Sequence, residues 1–283
     1  MSDDKVTLLM IGLPWYSAPD DAVYEKYFEY MTYLGALAER TIIRHAMGAE
    51  AFSKLALPKL SPDPSDVLAE PSEEDYERLG RLQLSICTYS RTSLVGLSRE
   101  MIAETAVMCN ADYLHTWDAD MKFPNSAFLR LWRHQQPIVS ALAFTARDPV
   151  YPALFGVKWV DDGEGGTVYE RSRPLFDYPK DRLVGDDDTD GWLASGGACT
   201  LVDVGVYRSI DQPWYKSTGA GEDWFFCSRA ADAGIARFVD TSLVAQHRTH
   251  DVVWIGEEEY WETRKNRPHH YEKQWGKLTE VPA

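Results

Sequence analysis

Continuous apolar runs alternate along this chain with stretches whose apolar positions recur every three or four residues. Val6 to Leu13, VTLLMIGL, has the unbroken character of a strand buried on both faces, and Pro14 ends it. Tyr24, Tyr27, Phe28, Met31, Leu34 and Leu37 then share one helical face, which predicts a long amphipathic helix. RTIIRHAMG, residues 40–48, reads as a second strand. Pro58 to Glu77, rich in Pro, Ser, Asp and Glu, reads as an exposed insertion, and RLQLSICTYS, 81–90, as a third strand. Ser98 is expected to cap a helix whose apolar face is Ile102, Ala103, Ala106 and Val107, with Glu100 favoured in its first turn.

A strand ending at Trp117, a helix from about Ser126 to His134 and the apolar strand PIVSALAF, 137–144, follow. Residues 145–190 carry several Pro and Gly and read as irregular. Order is expected again at ACTLVDVGVY, 198–207, at a helix from Asp223 to Ala233 stopped by Gly234, and at the strand ARFVDTSLVAQH, 236–247. Strands alternating with helices in this way predict an α/β fold with a mainly parallel sheet flanked by helices. The segment from Thr249, rich in Trp and charge, is expected to fold back near the site, with His269 and His270 on its surface.

Composition narrows the function. Of 283 residues 45% are hydrophobic and 26% charged, the make-up of an ordinary globular chain with ample core. No window holds 18 consecutive apolar residues, and MSDDKVTLLM lacks the basic start of a secretion signal. The cysteines, Cys87, Cys109, Cys199 and Cys227, lie far apart and read as free thiols, so a cytoplasmic setting is expected. A net charge of −15 argues against broad attraction to nucleic acid, although Arg130, Arg133, Arg147 and Lys158 leave room for a local basic groove.

Candidate chemistry centres on YLHTWDADMKFP, 113–124. Residues i and i+2 of an extended chain project to one side, so Asp118 and Asp120 at a strand's carboxyl end could meet on one hard cation. The spacing alone is weak evidence: with 25 aspartates, about two D-x-D pairs arise by chance. Three occur, and the other two lie in the polar turn GDDDTDG, 185–191, which reads as solvated. Only Asp118 and Asp120 follow an apolar strand and precede another helix.

With these pieces in order, the chain resembles the GT-A glycosyltransferases, particularly the inverting family 2 type. ADYLHTWDADMKFPNSAFLRLW looks like their strand, DxD motif and helix, preceded by RTSLVGLSREMIAETAVMCNADYL. GWLASGGACTLVDVGVYRSIDQPWY is similar to their acceptor-side strand, and GEDWFFCSRAADAGIARFVDTSLVAQH to the segment carrying an acidic pair, a helix, a strand and a terminal histidine. The resemblance covers roughly residues 6–14 and 88–247. It implies a GT-A, Rossmann-like domain over 1–250, with a nucleotide-sugar half to about 144, an acceptor half beyond it, and a tail from 251 to 283.

What the resemblance implies is metal-dependent transfer of a sugar from a nucleotide-diphosphate sugar, UDP-sugars first, to a hydroxyl acceptor. Asp120 would be the main ligand of Mn²⁺ or Mg²⁺, with His247 closing the shell and Asp118 touching the ribose or a metal-bound water. Leu13, Pro14 and Arg99 would lie by the donor, Arg99 beside its diphosphate. Asp223 matches the catalytic base, with Glu222 the alternative, and whether the reaction inverts stays open. Gly196 and Gly197 would let the acceptor side approach closely, and Trp192, Trp214 and Trp224 are candidate stacking surfaces.

Acceptors left open are a small molecule, a glycan, a protein or a hydroxylated DNA base. Two other readings compete. A sugar nucleotidyltransferase needs a Gly-rich basic loop after the first strand, where this chain has the acidic GLPWYSAPDD, 12–21. A non-catalytic nucleotide- or glycan-binding protein would keep every fold element.

Overall fold

A computed structural model of the chain describes residues 5–14, 21–63, 65–89, 95–161, 167–218, 220–249 and 253–275. In order, the elements are β1 (Val6–Pro14), α1 (Asp21–Met47), α2 (Ala49–Ser53), α3 (Glu73–Leu79), β2 (Arg81–Tyr89), α4 (Val95–Met108) and β3 (Tyr113–Trp117). Then come β4 (Met121–Lys122), α5 (Ala127–Arg133), β5 (Ile138–Ala143), β6 (Leu154–Asp161), β7 (Thr167–Pro174), β8 (Leu183–Gly185) and β9 (Trp192–Ser195). The chain continues through β10 (Cys199–Asp203), α6 (Val204–Ser209), α7 (Glu222–Asp232), β11 (Phe238–Arg248), β12 (Trp254–Ile255), α8 (Glu257–Asn266) and α9 (Pro268–Trp275).

The main sheet runs β2-β1-β3-β10-β5-β11-β12, with β4 and β8 also paired to β11. β2, β1 and β3 are parallel, β5 and β11 are parallel, and β10 alone is inserted antiparallel between the two groups. The fold is therefore the expected α/β, Rossmann-like class with a mainly parallel sheet between helices. One apolar cluster packs α1 and α5 on one face, through Tyr30, Leu34, Leu37, Phe128 and Trp132. A second packs α4, α6 and α7 on the other, through Ile102, Ala106, Val206 and Phe226. Burial on both faces is why the strands read as continuous apolar runs.

Four expectations are corrected. Residues 40–48 are the last turns of α1, not a strand: Leu34, Leu37 and Thr41 continue the buried face, whereas Ile42 is 49% exposed. The Thr41 hydroxyl accepts from the Leu82 N–H at 2.9 Å and so ties α1 to β2. Ser98 does not cap α4; it is buried inside a helix that starts at Val95. The 58–77 segment is no loose insertion, because Leu60 and Ala69 enter the core and Ser72 forms a capping box with Asp75 at the start of α3.

Finally, 145–190 is only partly irregular. β6 pairs antiparallel with β7 and β9 in a separate three-stranded sheet. In the acidic turn 185–191, Asp187, Asp188 and Asp190 are exposed as expected, but Asp186 is structural: it accepts from the Leu193 N–H at 2.7 Å and pairs with Arg237 at 2.7 Å, while Asp188 accepts from the Gly185 N–H at 2.8 Å. All four cysteines are free, with Cys109 exposed and Cys199 and Cys227 buried. Among the described residues no helix is long and apolar enough to cross a membrane.

Arg133 on α5 holds the 58–77 segment in place. It donates to Asp75 at 2.8 Å and to the carbonyls of Leu68 and Glu70, each at 2.9 Å. Asp75 is 4% exposed, so Arg133→Ala strands a buried carboxylate. The expected cost is about 3 kcal/mol, read as a lower urea midpoint at unchanged slope.

Candidate active site

β3, β5 and β11 point their carboxyl ends to one edge of the sheet, and antiparallel β10 starts at that same edge. Ligands of open α/β sheets bind beyond those ends. A cleft of about 900 Å³ lies there. It is lined by Asp120, His247 and Arg248, by Gly196, Asp223 and Trp224, and by Thr145 to Arg147 with Tyr151.

Asp118 and Asp120 do not project together. The chain turns directly after β3: the Asp118 N–H donates to the Ala198 carbonyl at 2.9 Å, and the Met121 N–H donates back to the Asp118 carbonyl at 3.1 Å. The turn breaks the extended geometry on which a shared face depends. Asp118 points inward and spends both oxygens on Arg99, whose Nη2 donates to them at 2.7 and 2.8 Å. Asp120 points into the cleft, 3.2 Å from His247 Nε2.

His247 is oriented by the backbone. Its Nδ1 lies 3.0 Å from the Phe144 carbonyl, which can only accept, so Nδ1 carries the proton and Nε2 faces Asp120. Burial works against a charged ring there, but Asp120 and the Phe144 carbonyl outweigh it and hold the His247 pKa above its ordinary value. Burial likewise raises Asp120, and the hydrogen bond and charge of His247 more than reverse it.

These two donors are the fit for a divalent cation: a lone-pair nitrogen and a carboxylate 3.2 Å apart at the cleft surface, where a cation would replace the shared proton. Among the described residues no group of three or more His, Cys, Asp or Glu gathers closely enough to form a cage. An ion held by two protein ligands keeps open positions for water and phosphate oxygens, as Mg²⁺ sites commonly do.

The inner wall is built around Arg99, on α4 and 2% exposed. Besides Asp118, it reaches Glu222 Oε1 at 3.3 Å, Asp223 Oδ1 at 3.9 Å and the Gly197 carbonyl at 3.0 Å. Asp223 Oδ2 also accepts from the Gly197 N–H at 3.0 Å. Both acids occupy the first turn of α7, whose dipole favours negative charge.

Their protonation is divided. Burial, with Asp223 alongside, pushes Glu222 up to about 7. Burial also raises Asp223, but Arg99 and the hydrogen bonds from Glu222 and Gly197 prevail and hold it below its ordinary value. Burial lifts Asp118 to about 7 against the pull of Arg99.

Several candidate residues take other places. Arg99 is corrected from diphosphate contact to an internal tie, because it is buried and directed at carboxylates. Leu13 is 3% exposed in the core cluster rather than beside the donor. Pro14 closes β1 opposite Tyr89, and its side chain lies outside the described residues, as does most of the 12–21 loop. Trp192 is buried behind Trp224, ring centroids 6.1 Å apart, and Trp214 packs on Tyr207, so of the three only Trp224 reaches the cleft.

Gly197 is explained by Arg99: a Cβ there would sit 3.0 Å from the guanidinium carbon. Of the basic candidates, Arg133 and Lys158 are paired with Asp75 and Asp190, and Arg130 bonds Ser242, which leaves Arg147 at the cleft. Sequence reasoning missed Tyr151 and Phe155, which line the cleft from a segment read as irregular, and Arg248, whose only signal was its place after His247.

No protein-family model and no curated protein matches the chain. Solved structures that align with it include A197 from STIV, with 12% identity over 88% of this chain and 93% of that one and a TM-score of 0.43. GalNAc-T7, solved with UDP, GalNAc and Mn²⁺, aligns at 12% identity over 95% of this chain, with a TM-score of 0.44. The chain spans 48% of the GalNAc-T7 chain. A putative glucose-1-phosphate thymidylyltransferase from Bacillus anthracis aligns at 11% over 98% of both chains, with a TM-score of 0.37. Overlaps at TM-scores this low carry no argument about fold or activity.

Two outcomes follow from the wall. Gly197→Ala must push Arg99 aside and is expected to cost about 1–3 kcal/mol, whereas at Gly196 a Cβ meets the Ala153 methyl at 3.4 Å and should cost less. Paired thermal melts check this. Second, Glu222 and Asp118 bind protons more tightly folded than unfolded, so their stabilisation is full at acid pH and fades as pH rises towards 7. Glu222→Gln should flatten the fall in unfolding free energy between pH 4.5 and about 7, measured by urea titration.

Proposed function

We propose that the chain is a divalent-cation-dependent glycosyltransferase, moving a sugar from a nucleotide-diphosphate sugar, a UDP-sugar first, to a hydroxyl acceptor. One observation carries this reading: a single cleft beyond the strand ends is lined both by the Asp120–His247 pair and by Asp223, a carboxylate that Arg99 holds below its ordinary pKa and the Gly197 N–H positions.

Asp120 and His247 would hold Mn²⁺ or Mg²⁺, which supplies charge to bind the diphosphate and to stabilise it as a leaving group. Asp223, kept ionised by Arg99, takes the proton of the acceptor hydroxyl. The acceptor oxygen bonds to the anomeric carbon as the bond from that carbon to the diphosphate breaks, and the departing oxygen keeps the electron pair. Attack on the face of the anomeric carbon away from the departing diphosphate inverts the configuration. Trp224 and Tyr151 on the acceptor side exclude water and offer a flat surface to a ring.

The deciding experiment is a panel of nucleotide sugars with and without Mn²⁺, followed by thermal shift and mass spectrometry. Free nucleoside diphosphate with slow sugar release to water is the expected result; pyrophosphate release would instead mark nucleotidyl transfer. Asp120→Ala is expected to abolish the Mn²⁺-dependent shift. Asp223→Asn is expected to keep that shift and lose transfer by about 10²–10⁴-fold. If both variants turn over like the parent, the reading fails.

A further inference from the structure

Resting on the glycosyl-transfer reading above, we propose that the acceptor is a nucleic-acid strand, with one nucleotide's ring in the cleft and the neighbouring phosphates on an adjoining basic basin. The basin, about 540 Å³, is lined by Pro149, His269, His270, Lys273 and Gln274, with no carboxylate among them. Arg147 lines the cleft and Pro149 lines the basin. Two residues span at most about 7 Å, so the two walls adjoin.

Charge singles out this face. The chain carries −15, and many of its cations are spent on carboxylates, as Arg133 is on Asp75 and Lys158 on Asp190. Among the described residues, no carboxylate pairs with Arg147 or Lys273. Asp148, between the two spaces, is shared by Arg267 and His270 at 3.5 Å each. The cleft and basin linings carry Arg147, Arg248 and Lys273 against Asp120 and Asp223, a small local excess of cations in an acidic chain that attracts a polyanion.

The cleft supplies the other half of such recognition. Tyr151, Phe155 and Trp224 all line the cleft and meet edge to face, with successive centroids 6.2 and 5.4 Å apart, so each ring turns a separate surface to the space. Bases stack on such rings whatever their sequence. A neutral glycan would use the aromatic wall but not the cations, and the basin offers no large apolar side chain to a lipid tail.

The test measures binding of a fluorescent single-stranded 12-mer to the whole chain, at 50 and 200 mM salt, without donor or metal. A neutral oligosaccharide and phosphatidylglycerol vesicles are run alongside. The parent should bind the 12-mer in preference to both, more weakly at high salt. Arg147→Glu/Lys273→Glu should weaken it at least tenfold and cut the salt slope by about 1.4, at 0.7 per phosphate. Lys54→Glu/Lys59→Glu, an equal charge change outside the cleft and the basin, should bind like the parent. Equal binding by the double variant, or preference for oligosaccharide or vesicles, overturns the proposal. Donor hydrolysis by the parent is scored separately: if it is absent while the strand binds as described, the transferase reading fails and the strand-binding face stands.

Discussion

One buried guanidinium sets the geometry of this site. Arg99 sits almost without solvent at the meeting point of β3, the strand entry at Gly197 and the first turn of α7, and three carboxylates converge on it. A cation removed from water is tolerable only when it is paired and hydrogen-bonded, and these carboxylates are costly without it. The interaction is mutual, so none of the three elements can shift alone. Gly197 has no side chain because the guanidinium passes where one would be. The division of protons between Glu222 and Asp223 follows from the same contact.

The sheet explains why this cluster faces a cleft. Inserting β10 antiparallel among parallel strands brings its start, with Gly196 and Gly197, to the edge where β3, β5 and β11 finish. The pairing of β4 with β11, which sets His247 opposite Met121, brings in Asp120 and His247 from 127 positions apart. The backbone completes the arrangement: the Phe144 carbonyl selects the tautomer of His247 and so turns its lone pair towards Asp120.

Much of this was legible in the chain. Continuous apolar runs located β1, β3 and β5 because both faces of the sheet are covered, and the helical spacing of Tyr27 to Leu37 located α1. The Thr41-Ile42-Ile43 run misled because β-branched residues favour strands while tertiary packing kept them in helix. β6 and β7 were hidden because Pro and Gly surround them. Asp120, Asp223 and His247, named from the family resemblance, and Trp224, one of three candidate stacking rings, line one cleft. Leu13, Trp192 and Arg99 were misplaced because sequence order records neighbourhood but not which way a side chain turns. For Asp118, a turn of one residue redirected the carboxylate from the cleft to the interior.

The aromatic wall of the cleft does not stand alone. Tyr151 rests on Trp275, ring centroids 5.1 Å apart, and the Tyr271 hydroxyl donates to the Val150 carbonyl at 2.6 Å. Tyr260 and Tyr271 share one apolar cluster with Leu142, Phe144, Val184 and Val239. Helices α8 and α9 are therefore a keel for the loop after β5. Shortening the chain at residue 250 would remove Trp275 from beneath Tyr151, and with it both Ile255, which pairs with His247, and Tyr260, which stacks on Phe144, so the aromatic wall and the His247 ring lean on one support.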